Sequence, residues 1–161
     1  FLRPKNISGD KAKSIDYILH SINFYESLGI KYDAILLLQP TSPLRNISLL
    51  KDAIKLFKVN NANSLISCYK EEYINDLVMY KTAKKSYLKP LNDNHNKGLR
   101  RQDHGDVFVR NGAIYLTKVS YIKERYQIIS DKPLLIEMKK SQSINVDTLE
   151  DVEILKRIIC K

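Results

Sequence analysis

The stretch AILLLQPTSPLR, residues 34–45, passes from a continuous apolar run into a turn with two prolines, two hydroxyl side chains and an arginine. A strand-length apolar run without alternation is typical of a strand covered on both faces, as in the parallel sheet of an α/β domain. In such a sheet, ligands bind beyond the carboxyl ends of the strands, where residues 39–45 are expected. The turn is therefore either part of a binding site or a structural strand exit, and its composition leaves both interpretations open.

Helical patterns lie on both sides of this stretch. SIDYILHSINFYESLG (residues 14–29) has apolar residues at helical spacing, with Ser14 as the expected N-cap and Gly29 as the expected stop. NISLLKDAIKLFKVNN (residues 46–61) predicts a second amphipathic helix, whose core-facing residues are expected to be Ile47, Leu50, Ile54 and Phe57. SLISCY (residues 64–69) reads as another apolar strand. This alternation predicts an α/β domain with a largely parallel sheet.

The second half of the chain is less regular. We interpret residues 80–106 as a polar, hairpin-like excursion, and VFVRNGAIYLT predicts a strand with a bend at Gly112. A short helix at VSYIKERY and a strand at PLLIEM follow. SINV is expected to be a strand that turns at residues 147–148 into a C-terminal helix, with Thr148 and Asp151 as a capping box. We treat residues 1–161 as one α/β domain, long enough to bury a core.

Charge and cysteine content narrow the class of protein. The 27 Lys and Arg residues exceed the 18 Asp and Glu residues, and the basic residues are densest at residues 81–101. Such a patch suits nucleic acid, phosphates or carboxylates. Its isolated lysines are more typical of a solvated surface, whereas the adjacent Arg100 and Arg101 suit phosphates and carboxylates. Nucleic-acid binding ranks last, because no aromatic residues interleave with the basic ones. No apolar run reaches the length of a membrane span, and Cys68 and Cys160 have no disulfide or metal spacing, which favours a cytoplasmic protein.

Three polar constellations could carry chemistry. Gln39 places an amide at the turn, and Asp147 could hold Mg²⁺ or serve as a helix N-cap. Asn111 and Tyr115 place hydrogen-bonding groups beside the bend at Gly112. The same part of the sequence concentrates three arginines: Arg100, Arg101 and Arg110. His104, in the same loop, is interpreted as an exposed side chain. No P-loop, GxGxxG, GxSxG or HExxH motif occurs in the sequence.

Taken in order, these segments resemble one enzyme family. FLRP…SGDKAKS, LLLQPTSPLR, RRQD…RNGAIYL and SINVDTLEDVE look like the CMP-N-acetylneuraminate synthetases (acylneuraminate cytidylyltransferases) and their relatives acting on legionaminic, pseudaminic and related acids. The resemblance implies a Rossmann-like α/β fold of the nucleotide-diphospho-sugar transferase type, with a mostly parallel sheet, helices on both faces and an inserted dimerisation element at about residues 80–106. It implies a homodimer that transfers CMP from CTP to a nine-carbon acidic sugar, releases pyrophosphate and requires Mg²⁺.

The resemblance also implies roles for individual residues. Asp147 matches a Mg²⁺ ligand, and Arg101 matches an arginine that faces the anionic substrates. Arg3 and Ser14 match positions at the cytidine end of the substrate site. The positions matched at the sugar are Gln39, Tyr115, Ile128 and Ile129, and we add Asn111, which lies in the NGAIY segment with Tyr115. Arginines and a metal ion would act by positioning and by neutralising phosphate charge rather than by covalent catalysis.

Three features depart from the family pattern. The glycine-containing basic loop that grips the triphosphate in the family is not found in the 161 residues, so we expect the chain to correspond to a C-terminal portion that is inactive alone. Where some members read IDID, this chain reads INVD, with Asn145 in place of one aspartate. A His-Pro-Lys element of some members is replaced by EYINDL, which leaves the sugar open. The alternative to an enzyme is a non-catalytic binding or scaffold module of the same fold.

Overall fold

A computed structural model describes residues 1–9, 11–83, 87–98 and 105–160. Within these ranges the chain forms the following helices and strands, in order: α1 (Ser14–Ser27), β1 (Ala34–Leu37), α2 (Ile47–Val59), β2 (Ser64–Glu71), β3 (Tyr80–Thr82), β4 (Leu88–Pro90), β5 (Val107–Lys118), α3 (Val119–Arg125), β6 (Leu134–Glu137) and α4 (Leu149–Ile159). Short 3₁₀ turns occur at Lys5–Ile7 and Lys140–Gln142. The α/β class predicted from the sequence is confirmed.

The main sheet of the described residues has four strands in the order β1–β5–β2–β6. Strand β5 pairs antiparallel with both β1 and β2, whereas β2 and β6 pair in parallel. The expectation of a mostly parallel sheet is therefore corrected to a mixed sheet. The reason is that β1, β2 and β6 run in one direction, while β5 returns from the excursion and inserts between β1 and β2 in the opposite direction.

Helices cover both faces of this sheet, as expected. On one face, Ala53 and Phe57 of α2 pack against a core that includes Leu65 and Ile114. On the other face, α1 and α3 form a second core, in which Ile122 is fully buried. Strand β1 contributes to both cores, because its alternate residues point to opposite faces. The continuous apolar run of β1 thus reflects burial on two sides.

The helix boundaries depart from expectation at one position. Helix α1 begins at Ser14 itself, with Lys13 as the N-cap and no side-chain cap, so the prediction of Ser14 as N-cap is wrong by one residue. The first bond of the helix runs from Asp16 N–H to the Lys13 carbonyl at 3.0 Å, which places Ser14 inside the first turn. Gly29 does end the helix, in a left-handed conformation with φ of +78°.

The buried face of α2 is rotated relative to the prediction. Phe57 is buried as expected and Leu50 is partly buried, but Ile47 is 72% exposed and Ile54 lies at the surface. Ala53 is instead completely buried, since its small side chain lets the helix approach the sheet closely. The helix is capped by Asn46, whose side chain accepts a 2.7 Å bond from Leu49 N–H.

The C-terminal segment confirms the helix and its cap but not the preceding strand. Residues 143–147 form no strand ladder, and their link to the sheet region is a bond from Val146 N–H to the Thr41 carbonyl at 2.8 Å. The Asn145 side chain bonds to Ser42 of the turn after β1, and the Ser143 side chain bonds to Asn111 of β5. Thr148 caps α4 and forms the predicted capping box with Asp151.

The excursion contains the expected hairpin, formed by β3 and β4 in antiparallel register. Large side chains with apolar or aromatic character lie exposed on its described part: Tyr80, Tyr87, Leu88 and Leu91. Val78 and Met79, directly before it, are exposed as well. In the portions of the chain that the structure describes, no helix combines the length and the apolar character needed to cross a membrane.

Candidate functional site

The turn after β1, residues 39–45, is held in place by its own arginine. The half-buried Arg45 donates from Nη1 to the carbonyl oxygens of Gln39 at 2.6 Å and Ser42 at 2.5 Å, with a longer contact to the Ala113 carbonyl at 3.4 Å. Burial lowers the pKa of Arg45, although a guanidinium remains cationic at neutral pH. Arg45 therefore has a structural role, and it fixes the turn against β5.

Ser42 is also structural. Its side chain is buried, and its hydroxyl lies 3.1 Å from the Asn111 carbonyl and 3.4 Å from Asn145 Oδ1. The structural interpretation of the turn thus applies to Ser42 and Arg45, since both bond to other parts of the protein. The binding-site interpretation remains for Gln39. Gln39 alone of these three turns its side chain towards an open cleft.

Strand β5 bulges where it meets the turn. Between the pairs Ile66–Tyr115 and Cys68–Arg110, β5 advances five residues while β2 advances two. Gly112 lies in this bulge with φ of +75°, and a Cβ atom there would come within 2.6 Å of Gln39 Oε1. The predicted bend is therefore a bulge, and glycine is required both for its conformation and for the close approach of Gln39.

We expect Gly112→Ala to destabilise the fold by about 1–2 kcal/mol, since a left-handed conformation carries that cost for a residue with a Cβ. The new methyl group would also displace the Gln39 amide from the cleft. Thermal unfolding measures the first effect. Gly9→Ala is the matched control, because nothing lies within 4 Å of its added Cβ and its φ is ordinary. Equal melting temperatures for the two variants would contradict the assignment of strain to Gly112.

The Asn111 side chain holds the bulge in place through four hydrogen bonds. Its Oδ1 accepts from Ser67 Oγ at 2.6 Å and from Ala113 N–H at 3.2 Å, and its Nδ2 donates to Ser143 Oγ at 2.8 Å and to Met138 Sδ at 3.2 Å. The side-chain amide thereby uses both donors and both acceptor positions within the protein. Asn111 lies at the cleft as predicted, but the structure commits its amide to β2 and to residues 138–143.

The cleft itself lies between β1, β5 and the segment after β6, with a volume of about 340 Å³. It brings together the predicted residues Gln39, Asn111 and Tyr115. Arg110, one of the three arginines noted in the sequence, also lies on its wall. The other lining side chains were not predicted as binding residues: Tyr69, Val109, Ser143 and Asn145. Tyr69 could have been found by the same argument as Gln39, because it lies towards the carboxyl end of an apolar strand.

Asp147 is connected to this cleft by Asn145, which lines the cleft and bonds to the Asp147 carboxylate. Asn145 Nδ2 donates a short hydrogen bond to Asp147 Oδ2, while the other atom of the same amide lies beside Ser42. The Asp147 backbone N–H donates to Asp151 Oδ2 at 3.1 Å, so Thr148 rather than Asp147 is the helix N-cap. The Asp147 carboxylate is exposed and is oriented by a neighbouring amide.

The donor set around Asp147 fits Mg²⁺ better than a transition metal. Within the described ranges, no three His, Cys, Asp or Glu side chains come together as a metal cage. Mg²⁺ is commonly held by one or two carboxylates, with water and substrate phosphates completing its shell. Asp147 presents an exposed carboxylate that is oriented by Asn145 Nδ2, which is compatible with that mode of binding.

The chain is similar in sequence to several known proteins. No family model matches the chain. It is 28% identical over 151 residues to an N-acylneuraminate cytidylyltransferase of Streptococcus agalactiae, which covers 93% of this chain and 35% of the relative. It is 27% identical over 157 residues to a pseudaminic acid cytidylyltransferase of Campylobacter jejuni, covering 97% of this chain and 66% of that protein. The chain is thus similar, over more than nine tenths of its length, to proteins named as N-acylneuraminate and pseudaminic acid cytidylyltransferases.

A third relative extends the range of sugars named among these similar proteins. The CMP-N,N'-diacetyllegionaminic acid synthase of Legionella pneumophila is 25% identical over 169 residues, with 99% of this chain and 68% of the relative covered. The chain thus spans about a third of the length of the streptococcal relative and about two thirds of the other two.

The remaining residues implied by the family pattern lie away from the cleft. The Arg3 guanidinium lies 4.7 Å from the centre of the Tyr17 ring, and Ser14 occupies the first turn of α1. Ile128 packs in the core beneath α1 and α3, while Ile129 is half-buried. None of the four lines the cleft that contains Gln39. Their roles stay predictions.

Arg101, the predicted anion-facing arginine, lies outside the described residues, as do Arg100 and His104. Its assignment to the substrates is therefore also a prediction. A cationic residue that the structure does place at the cleft is Arg110, which the family pattern did not single out.

One charged pair lies close to the cleft wall. The buried Glu71 carboxylate bonds to Lys140 Nζ at 2.8 Å and to the backbone N–H groups of Glu72 and Tyr73. The Lys140 bond, followed by the Tyr73 N–H, lowers the pKa of Glu71 from 4.5 to about 2. Lys140 Nζ also lies 5.5 Å from the centre of the Tyr69 ring. This pair thus supports the cleft wall from behind.

The pH dependence of stability follows from this shift. A carboxyl group whose pKa is lowered by folding contributes its full stabilisation above its ordinary pKa, and loses it as pH falls towards the folded value. We expect Glu71→Gln to lower the melting temperature at pH 7, and the difference from wild type to shrink as pH falls from 4.5 to about 2. Glu153→Gln, which breaks an exposed pair with Lys156, serves as control. A difference that stays constant over this pH range would contradict the role of Glu71.

Proposed function

We propose that the complete protein is a cytidylyltransferase that transfers CMP from CTP to a nine-carbon acidic sugar. In this reaction a sugar hydroxyl oxygen bonds to the α-phosphorus of CTP, the bond to the β-phosphate oxygen breaks, and pyrophosphate leaves while the hydroxyl proton passes to solvent. The relatives named above act as cytidylyltransferases or as a CMP-sugar synthase on acids of this kind, which supports the same class of substrates here.

The observation that carries this proposal is the position of Asp147 beside the sugar-sized cleft. Asn145 joins the two, because it lines the cleft and also bonds to the Asp147 carboxylate. A metal-binding carboxylate and a cleft rich in amides and phenols are what a reaction between a polyphosphate and a polyol requires. Gln39 and Tyr115 would bind hydroxyl or amide groups of the sugar, and the Gly112 bulge would hold Gln39 in place.

Mg²⁺ is proposed as the cofactor, with Asp147 as its protein ligand. When bound, the ion would neutralise phosphate charge and favour departure of pyrophosphate. The contribution of the protein is to orient the Asp147 carboxylate, through Asn145 and through the Asp147 backbone bond to Asp151.

The test is pyrophosphate release by the complete protein in the presence of CTP and Mg²⁺. N-acetylneuraminate, pseudaminate and N,N'-diacetyllegionaminate are supplied separately, and the CMP-sugar is identified by mass spectrometry. Release with one or more of the three acids, abolished by EDTA and restored by Mg²⁺, is the expected result. Absence of release with all three would favour the alternative, a non-catalytic binding module of the same fold.

A homodimer in the cytoplasm is part of the same proposal. The exposed apolar side chains of the β3–β4 hairpin offer a surface for a second copy of the chain. Sedimentation of the complete protein tests the dimer. The cytoplasm supplies CTP, and it suits a chain whose cysteines, Cys68 and Cys160, are both free.

A further inference from the structure

Arg110 stands out among the charged residues around the cleft because it has no acidic partner in the described residues. Its neighbours are paired: Lys70 bonds to Asp106 at 2.6 Å, and Lys140 bonds to Glu71 at 2.8 Å. The Arg110 guanidinium instead lies 5.9 Å from the centre of the Tyr115 ring, at an exposed position on the cleft wall. An arginine held over an aromatic ring keeps its outer N–H groups free to bind an anion.

The rest of the cleft wall is uncharged. Its other polar side chains are amides, phenols and one hydroxyl, from Gln39, Asn111, Asn145, Tyr69, Tyr115 and Ser143. Arg110 therefore carries the single formal charge among the described residues that line the cleft. Neutral hydrogen-bonding groups suit the hydroxyl and amide groups of a sugar, whereas one guanidinium suits one anionic group.

The number of charges favours a carboxylate over a polyphosphate at this position. A planar guanidinium and a carboxylate form two parallel hydrogen bonds, and their charges cancel one for one. A triphosphate carries several negative charges and is usually bound by a metal ion together with several cationic or backbone donors. Arg110 by itself matches the smaller, singly charged group.

We propose that Arg110 binds the carboxylate of the sugar and thereby restricts this cleft to acidic sugars. This assignment rests on the proposed function and adds a residue that determines specificity. The position of Arg110 supports it, since the residue lies on β5 directly before the Asn111 bulge. The bulge fixes the backbone next to it, while the side chain projects onto Tyr115.

The test compares a sugar acid with its methyl ester, using the complete protein, CTP and Mg²⁺. The ester keeps every hydroxyl group but carries no charge. We expect the wild type to favour the acid over the ester by about 10- to 100-fold in kcat/KM, as for loss of a hydrogen bond to a charged group. In Arg110→Gln this preference should vanish while the KM for CTP stays unchanged, and Arg110→Lys should recover part of it. Arg125→Gln, an exposed arginine on α3, is the matched control and should keep the full preference.

The outcomes separate this inference from the proposed function. If the wild type releases pyrophosphate but Arg110→Gln still prefers the acid as strongly as before, the carboxylate assignment is overturned and the function stands. A rise in the KM for CTP, with the preference for the acid intact, would place Arg110 at the nucleotide and would also overturn it. If the wild type releases no pyrophosphate with any acid tested, the proposed function is overturned and the assignment with it.

Discussion

Asp147→Asn in the complete protein is expected to lower the Mg²⁺-dependent rate of CMP transfer by at least about 100-fold, because a metal ion acting on phosphoryl oxygens supplies several kcal/mol of charge stabilisation. The change removes one negative charge and leaves an oxygen that can still accept from Asn145, so the local structure should persist. The measurement is the initial rate of pyrophosphate release as a function of Mg²⁺ concentration. Higher Mg²⁺ should recover part of the lost rate, since the affinity for the ion is what the change weakens.

Asp52→Asn provides the control for Asp147→Asn. Asp52 lies exposed on α2, and the same loss of charge there should leave both the rate and its Mg²⁺ dependence unchanged. Circular dichroism of both variants checks that the fold is intact. A wild-type rate for Asp147→Asn at every Mg²⁺ concentration would exclude Asp147 as the metal ligand.

Asn111→Ala should cost about 2–4 kcal/mol of stability, the largest loss we expect from a single change at the cleft. The change leaves Ser67, Ser143 and the Ala113 N–H without their partner in a buried site. Each unpaired buried group costs roughly 1–3 kcal/mol, and these contributions overlap because neighbouring groups can rebond. The melting temperature should fall by roughly 5–15 °C, as is usual for a chain of this length.

Asn63→Ala is the control for this second prediction. Asn63 is exposed, and its recorded bond is from Lys118 N–H to its backbone carbonyl, which alanine retains. We expect its melting temperature to lie close to that of the wild type. If Asn111→Ala had the same melting temperature as Asn63→Ala, the four bonds of the Asn111 amide would contribute no net stability. Other interactions would then have to hold the bulge in place.

Several parts of the site could be predicted because local chemistry determines them. The glycine at the bend is required by its own φ angle, and the capping box needs only Thr148 and Asp151 on one helical turn. The placement of Gln39 at the end of β1 follows from an apolar run followed by a turn. Each of these features depends on residues within a few positions of one another.

Other parts could not be predicted because they depend on distant partners. The turn after β1 contained an arginine and a serine that looked equally suited to a ligand. Arg45 bonds across to Ala113, and Ser42 to Asn111 and Asn145, over separations of 68 to 103 residues. Which polar groups remain open for binding is decided by which of them the distant segments occupy.

By itself, the sequence determined the α/β class, the hairpin, the polar end of β1 and the order of helices and strands, apart from the strand wrongly predicted at residues 143–146. Periodicity and turn chemistry carry that information, since they act within a helix or strand. The tertiary structure alone decided that β5 inserts antiparallel between β1 and β2, that Asn111 is committed to the protein, and that Arg110 faces the cleft over Tyr115. The physical reason is that groups far apart in the sequence compete for the same strand neighbours and hydrogen-bond partners. This competition is resolved only when the folded chain brings those groups together.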